Sequence, residues 1–251
     1  MRLLIDRLHI ARLPGGTSRR RPILSIAVVV AAQLGHHDPM NAETPKAEEL
    51  SLPQALLLLA TNDKNGEAEL PVVVLKAALS GAILAELHLR GAIGLQGKHL
   101  RATGNAPQPD FQHQLDLIRD KSRPHTPKRW VSMLESRAEL HRVYEGMVSL
   151  GILEHVGEKH LGLFGATRYP EKDHAPEAAI LRKIQAALGG SLSDSRTTAL
   201  IALLQAAGLL DRLFPAADQN RVRQLVKDHW PSRAVTDELR MIRLAEAEAA
   251  T

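Results

Sequence analysis

The chain has 251 residues, of which 44% are hydrophobic, only 3% are aromatic and none is cysteine. That composition supports a sizeable core of Leu, Ala, Val and Ile and suits packed helices better than sheets. It excludes disulfides, thiolate metal sites and a cysteine nucleophile. The formal net charge of +4 misleads, because six arginines and only two acidic residues fall within residues 1–39 and the remainder is formally neutral; a protein that grips a nucleic-acid backbone needs a surplus of Lys and Arg.

Residues 1–39 do not conform to the rest. Arg19, Arg20 and Arg21 precede an apolar run over 23–34, which is too short to span a bilayer comfortably as a helix. Basic residues before a short apolar stretch resemble a secretory signal, with Val30-Ala31-Ala32 as a loose cleavage site. The alternative, which we prefer, is a mis-called start with translation beginning at Met40, because MNAETPKAEEL is a polar leader into a domain. Residues 40–251 then form a single helical domain.

Ser51 and Gln54 have capping-box spacing and Pro53 is tolerated in a first helical turn, so a short, buried helix is expected to open there. Residues 62–66 read as a turn. A central helix over 72–90 is apolar around its whole circumference, which places it in the middle of a bundle; its Val72-Val73-Val74 start is also compatible with a strand. Glu86 and Arg90 form an i,i+4 pair, and Gly91 ends the helix. A hairpin follows, with strands at 93–95 and 99–102 about Gly97-Lys98.

An amphipathic helix is expected over 110–120, a basic proline-broken linker over 121–129, a second long helix over 129–150 and a second hairpin over 152–164. After a break at Tyr169-Pro170, helices are expected over 176–188, 194–213, 218–229 and 232–249, the last two peripheral. The sum is a mainly α fold: a central helical bundle ringed by amphipathic helices, with two small β-hairpins. The helix–glycine–hairpin module occurs twice, at 81–104 and 142–165. A pair of such modules also suits a winged-helix-like DNA-binding regulator.

No catalytic motif stands out: there is no G-x-S-x-G elbow, H-E-x-x-H pair or Walker loop. No catalytic residue, cofactor or metal site is therefore assigned. His155 and His160 could face one another across the second hairpin as two ligands of a metal, against the blander reading of solvated strand residues. On the helix expected over 129–150, Trp130, Met133, Leu134, Leu140, Tyr144, Met147 and Val148 make an apolar stripe, and Arg137 falls within it. A core-facing arginine needs an internal ion pair, with Glu86 or Glu135 as candidates, a stem laid along the surface, or a bound phosphate. Lys121, Arg123, Lys128 and Arg129 make the linker a candidate surface for anionic head groups. Leu161, Leu163 and Phe164 at the second hairpin form either core or a contact with a membrane or a second copy of the chain.

The segments LSLPQALLLLA (50–60), SGAILAELHLRGAI (80–93), LGILEH (150–155), LGLFGATRYP (161–170) and ALIALLQAAGLLDRLFP (199–215) follow one another as they do in Golgi phosphoprotein 3-like proteins. The chain resembles that family over roughly 49–231. The resemblance implies a helical bundle ringed by amphipathic helices, with a β-hairpin used in self-association. For the eukaryotic members it implies peripheral membrane adaptors that bind phosphatidylinositol 4-phosphate and read the cytosolic tails of membrane enzymes, without enzymatic activity of their own. Their lipid pocket uses a tryptophan, an arginine nine residues later and two arginines three apart. The matching positions here are Pro71, Ser80, Arg137 and Leu140, so Arg137 alone agrees.

The arginine-over-lysine bias and the abundance of alanine suggest a bacterial source. The expected function is that of a peripheral adaptor on the cytoplasmic face of a membrane. Its partners would be anionic lipid head groups, membrane-protein tails and, through the second hairpin, another copy of itself, with nucleic acid disfavoured. A DNA-binding regulator is the alternative, and an enzyme with an unrecognised site has no support beyond the oddity of Arg137.

Overall fold

In a computed structural model, which describes residues 50–103, 110–157 and 167–249, Ser51 opens the first helix as its spacing to Gln54 requires. Ser51 Oγ accepts the Gln54 amide at 3.4 Å, and Gln54 Oε1 accepts the Ser51 amide at 3.0 Å. Helix α1 (Leu52–Leu59) buries seven of its eight residues. Residues 1–39, with the expectations attached to them, lie outside the described part.

Helix α2 (Val72–Leu89) is helical from its β-branched start, and Leu75 and every residue from Ala77 to Leu87 are buried. Its length and apolarity would also suit a membrane span, yet 67% of the stretch is buried within the fold. A helix enclosed in this way cannot lie in a DNA groove, so the first of the two modules cannot serve the winged-helix reading. The first hairpin is present as expected, β1 (Ile93–Gln96) against β2 (His99–Ala102), with Ile93 opposite Ala102 and Gln96 opposite His99.

Helix α3 (Gln112–Arg119) is followed by α4 (Pro127–Leu134) and α5 (Arg137–Ser149). The single helix expected over 129–150 is thus two. Glu135 is extended, and Ser136 starts α5 afresh by accepting the Glu139 amide at 3.3 Å. The physical reason is an N-cap at Ser136, whose side chain competes for the orphan amides of the new helix.

The second hairpin also differs. Among the described residues, Leu153 bridges Glu171 and Val156 bridges Arg168, both antiparallel. Tyr169 and Pro170 therefore belong to a returning segment rather than to a break. This segment also packs on the 62–66 turn: Tyr169 donates its amide to Gly66 O at 3.0 Å. A Cβ on Gly66, whose φ is +68°, would stand 2.3 Å from Pro170 N.

Helices α6 (Ala175–Leu188) and α7 (Ser195–Ala207) follow, then α8 (Leu210–Leu213), α9 (Gln219–Val226) and α10 (Trp230–Ala249). Left-handed Gly208 separates α7 from α8, where a single helix was expected. The first half of α10 is core rather than periphery, packing on α2, α4 and α7 and burying Ala234, Val235 and Leu239. Close approach explains it: Val235 occupies the space a Cβ on Gly81 would need, 2.1 Å away. The centre of the bundle is α2, touched by α1, α4, α5, α7 and α10.

Candidate functional site

Arg137 is exposed on the first turn of α5. The break at Ser136 ends the helical register that placed it in the stripe of Trp130 and Leu134, so the expected core-facing arginine is a surface one. Both partners proposed for it are otherwise engaged. Glu135 pairs with Lys76 at 3.2 Å. Glu86, fully buried, receives Arg196 at 2.7 and 3.0 Å, Arg90 at 2.6 Å and the Leu52 amide at 2.8 Å. Burial pushes the Glu86 carboxyl up, but Arg196, the Leu52 amide and Arg90 outweigh it and hold it below the ordinary range.

The other positions matched to the family's lipid pocket are uncharged in character and scattered in environment. Pro71 is exposed at the start of α2. Ser80 is buried and donates its hydroxyl to Lys76 O at 2.9 Å. Leu140 belongs to the core. A phosphate entering here would find Arg137 without the other three contacts.

The basic linker is better built. Lys121, Arg123 and Arg129 are exposed and Lys128 is half-buried. No acidic residue lies between Lys121 and Leu134, and none of the four cations forms an ion pair among the described residues, whereas the preceding Arg119 is held by Asp116 at 2.7 Å. The segment is fixed at three points. His125 O accepts the Leu100 amide at 2.9 Å, tying the linker to β2. Thr126 Oγ1 accepts the Arg129 amide at 3.4 Å and Pro127 sits in the first turn, starting α4. Trp130, Val131 and Leu134 anchor that helix in the core.

Lys128 and Arg129 occupy the first turn of α4, where the helix dipole is positive and acidic side chains are favoured. Dipole and side chains thus add to one positive field facing solvent, an arrangement suited to a negatively charged surface. Arg137 lies beyond α4, whose eight residues extend about 12 Å. The five candidate cations are strung along the surface rather than gathered by any shared partner among the described residues.

Leu161, Leu163, Phe164 and His160 lie outside the described residues. His155, the other half of the imagined metal pair, bonds through Nδ1 to Glu145. Glu145 also accepts Tyr169 Oη at 3.1 Å, and Tyr169 Oη meets His141 Nδ1 at 2.6 Å. Tyr169 stacks on Tyr144 with centroids 4.4 Å apart. This network fixes the returning segment.

Two features escape sequence reading because their residues come from distant segments. The first is an open cavity of about 370 Å³ between α7, α9 and α10, bordered by Arg233, Arg243 and Gln205. The second is an acidic corner. Asp63, Glu171 and His174 each offer a donor atom within 4.8 Å of the others. Glu171 bonds through Oε2 to His174 Nδ1. Burial and the Asp63 and Glu171 charges push the neighbouring Glu177 carboxyl up to about 7. Burial raises Glu171 as well, in spite of His174, and the Glu171 carboxylate in turn raises His174. The turn at 62–66 and the helix from residue 176 were visible in the sequence, but their meeting was not.

Residues 52–242, about three quarters of the chain, fit the family model described as Golgi phosphoprotein 3.

Proposed function

The chain belongs to the Golgi phosphoprotein 3 family, and from that premise we propose that it is a non-enzymatic adaptor that docks on the cytoplasmic face of a membrane by binding anionic lipid head groups. The observation that carries this reading is the run from Lys121 to Leu134. It has four Lys and Arg side chains, no acidic residue, and a rigid attachment to β2 and the core. Each cation near an anionic surface contributes roughly 1 kcal/mol, and the contribution falls off within a Debye length.

The head group is read by summed charge along the linker, with Arg137 as an outlying contributor. The loss of the aromatic and two of the arginines at Pro71, Ser80 and Leu140 argues against a single enclosing pocket for a phosphoinositide. The overall neutrality of the chain beyond residue 39 supports a local, oriented contact rather than non-specific adhesion. Membrane-protein tails are the second proposed class of partner, by analogy with the family's adaptors.

Sedimentation with vesicles tests this. Binding to phosphatidylserine-containing vesicles that weakens as salt rises, with little binding to phosphatidylcholine alone, supports the proposal. Equal recovery on both, insensitive to salt, contradicts it.

A further inference from the structure

We propose that Asp63, Glu171 and His174, completed by Glu177, form a binding site for a divalent first-row transition cation such as Zn²⁺ or Mn²⁺. The donor atoms of the first three already lie within 4.8 Å of one another. Donors around an ion held at 2.0–2.2 Å stand about 3–4 Å apart, so small side-chain rotations close the shell. Carboxylate oxygens with one imidazole suit Zn²⁺ or Mn²⁺ better than Ca²⁺ or Mg²⁺, which take oxygen ligands.

The acidic grouping alone would be an ordinary surface feature. What distinguishes it is Glu171. Its side chain is only 2% exposed, yet its Oε1 is buried and no donor among the described residues reaches it. A buried carboxylate oxygen without a donor is costly. The Glu177 carboxyl lies in side-chain contact with that of Glu171. A cation between the carboxylates satisfies the orphaned oxygen and offsets the repulsion of Asp63, Glu171 and Glu177 together.

The site is also preorganised. Glu171 donates its amide to Asp63 O at 3.0 Å, and Lys172 donates to Ile152 O at 2.8 Å. His174 and Glu177 flank the start of α6, where Asp173 Oδ1 accepts the Ala175 amide at 3.0 Å. The donors therefore sit on a turn, a returning segment and a helix start that are already joined by backbone bonds. Exposed His174 and Asp63 leave the outer side open to water as further ligands. A bound ion would clamp the 62–66 turn and the 168–171 segment to α6.

The test is calorimetric titration of the EDTA-treated full-length protein with Zn²⁺ and with Mn²⁺, alongside thermal unfolding. The proposal expects saturable one-to-one binding of at least one of them, a raised melting temperature, and weaker binding of Ca²⁺. His174→Ala, at an exposed position, and Glu177→Gln should each weaken binding roughly tenfold or more while the metal-free variants melt as cooperatively as the wild type. Absence of saturable binding by Zn²⁺ and Mn²⁺ would overturn the assignment, as would a preference for Ca²⁺. So would unchanged affinity in both variants, which would place the ion on another of the chain's histidines.

Discussion

Arg196 of α7 meets Glu86 of α2 with both terminal nitrogens, Nη1 to Oε2 at 2.7 Å and Nη2 to Oε1 at 3.0 Å. The same carboxylate accepts the first amide of α1, from Leu52. One buried anion thus joins three helices in the most apolar part of the fold, where every lone pair must be satisfied. It also explains why Arg137 is free to face solvent: the centre of the bundle has its arginine, and that arginine comes from a helix far downstream.

Glu86→Ala should be severely destabilising, by about 3–5 kcal/mol, because it leaves Arg196 without its anion and the Leu52 amide without an acceptor. Arg196→Met should cost less, since Arg90 still reaches Glu86 at 2.6 Å. Urea unfolding of the two variants measures this. Equal and small losses would mean that the pair contributes little to holding α1, α2 and α7 together.

Gly66→Ala should destabilise by about 2 kcal/mol or more, because the residue needs a positive φ and a Cβ would meet the Pro170 backbone at 2.3 Å. The damage should be local, loosening 168–171 from the turn. Hydrogen exchange should show the Tyr169 and Glu171 amides losing protection before those of α2. Uniform loss across the fold would instead show that this turn and the bundle unfold together.

His229 should make the fold sensitive to acid. Burial, followed by the His88 and Arg233 charges, lowers its pKa from 6.5 to about 4. Its Nδ1 accepts the Ser232 amide at 3.2 Å at the entrance to α10, a bond only the neutral ring can make. A depressed folded-state pKa means that this stabilisation is intact above pH 6.5. It drains as pH falls from 6.5 towards 4, because the unfolded chain takes up the proton first. The amount is up to about 3 kcal/mol. His229→Asn, which keeps an acceptor and does not titrate, should lose less stability than the wild type between pH 7 and pH 5. Parallel losses in denaturant melts would rule His229 out as the source.

The sequence carries local rules well and register poorly. The Ser51–Gln54 box, the two-residue turn at Gly97-Lys98 and the all-round apolarity of α2 are each set by neighbouring residues, and each stands in the fold as read. Arg137 was misplaced because an apolar stripe running from Trp130 to Val148 outweighed a short signal within it: Ser136 followed three residues later by Glu139, the spacing of a new helix start. The second strand pair was drawn too tight because Tyr169-Pro170 reads locally as a terminator, whereas Gly66 supplies a partner from elsewhere in the chain. The acidic corner had no local signature, since Asp63 and Glu171 are brought together only by that same tertiary contact.

Vesicle affinity of a linker variant tests the account's central claim most directly. Replacing Lys121, Arg123, Lys128 and Arg129 with Gln removes about 4 kcal/mol of attraction to an anionic surface, or roughly 10²–10³-fold in affinity. The fold should be spared or slightly stabilised, because two cations leave the positive end of α4. The account predicts that the variant melts at or above the wild-type temperature yet fails to sediment with phosphatidylserine vesicles. A well-folded variant that binds those vesicles as tightly as the wild type would contradict it.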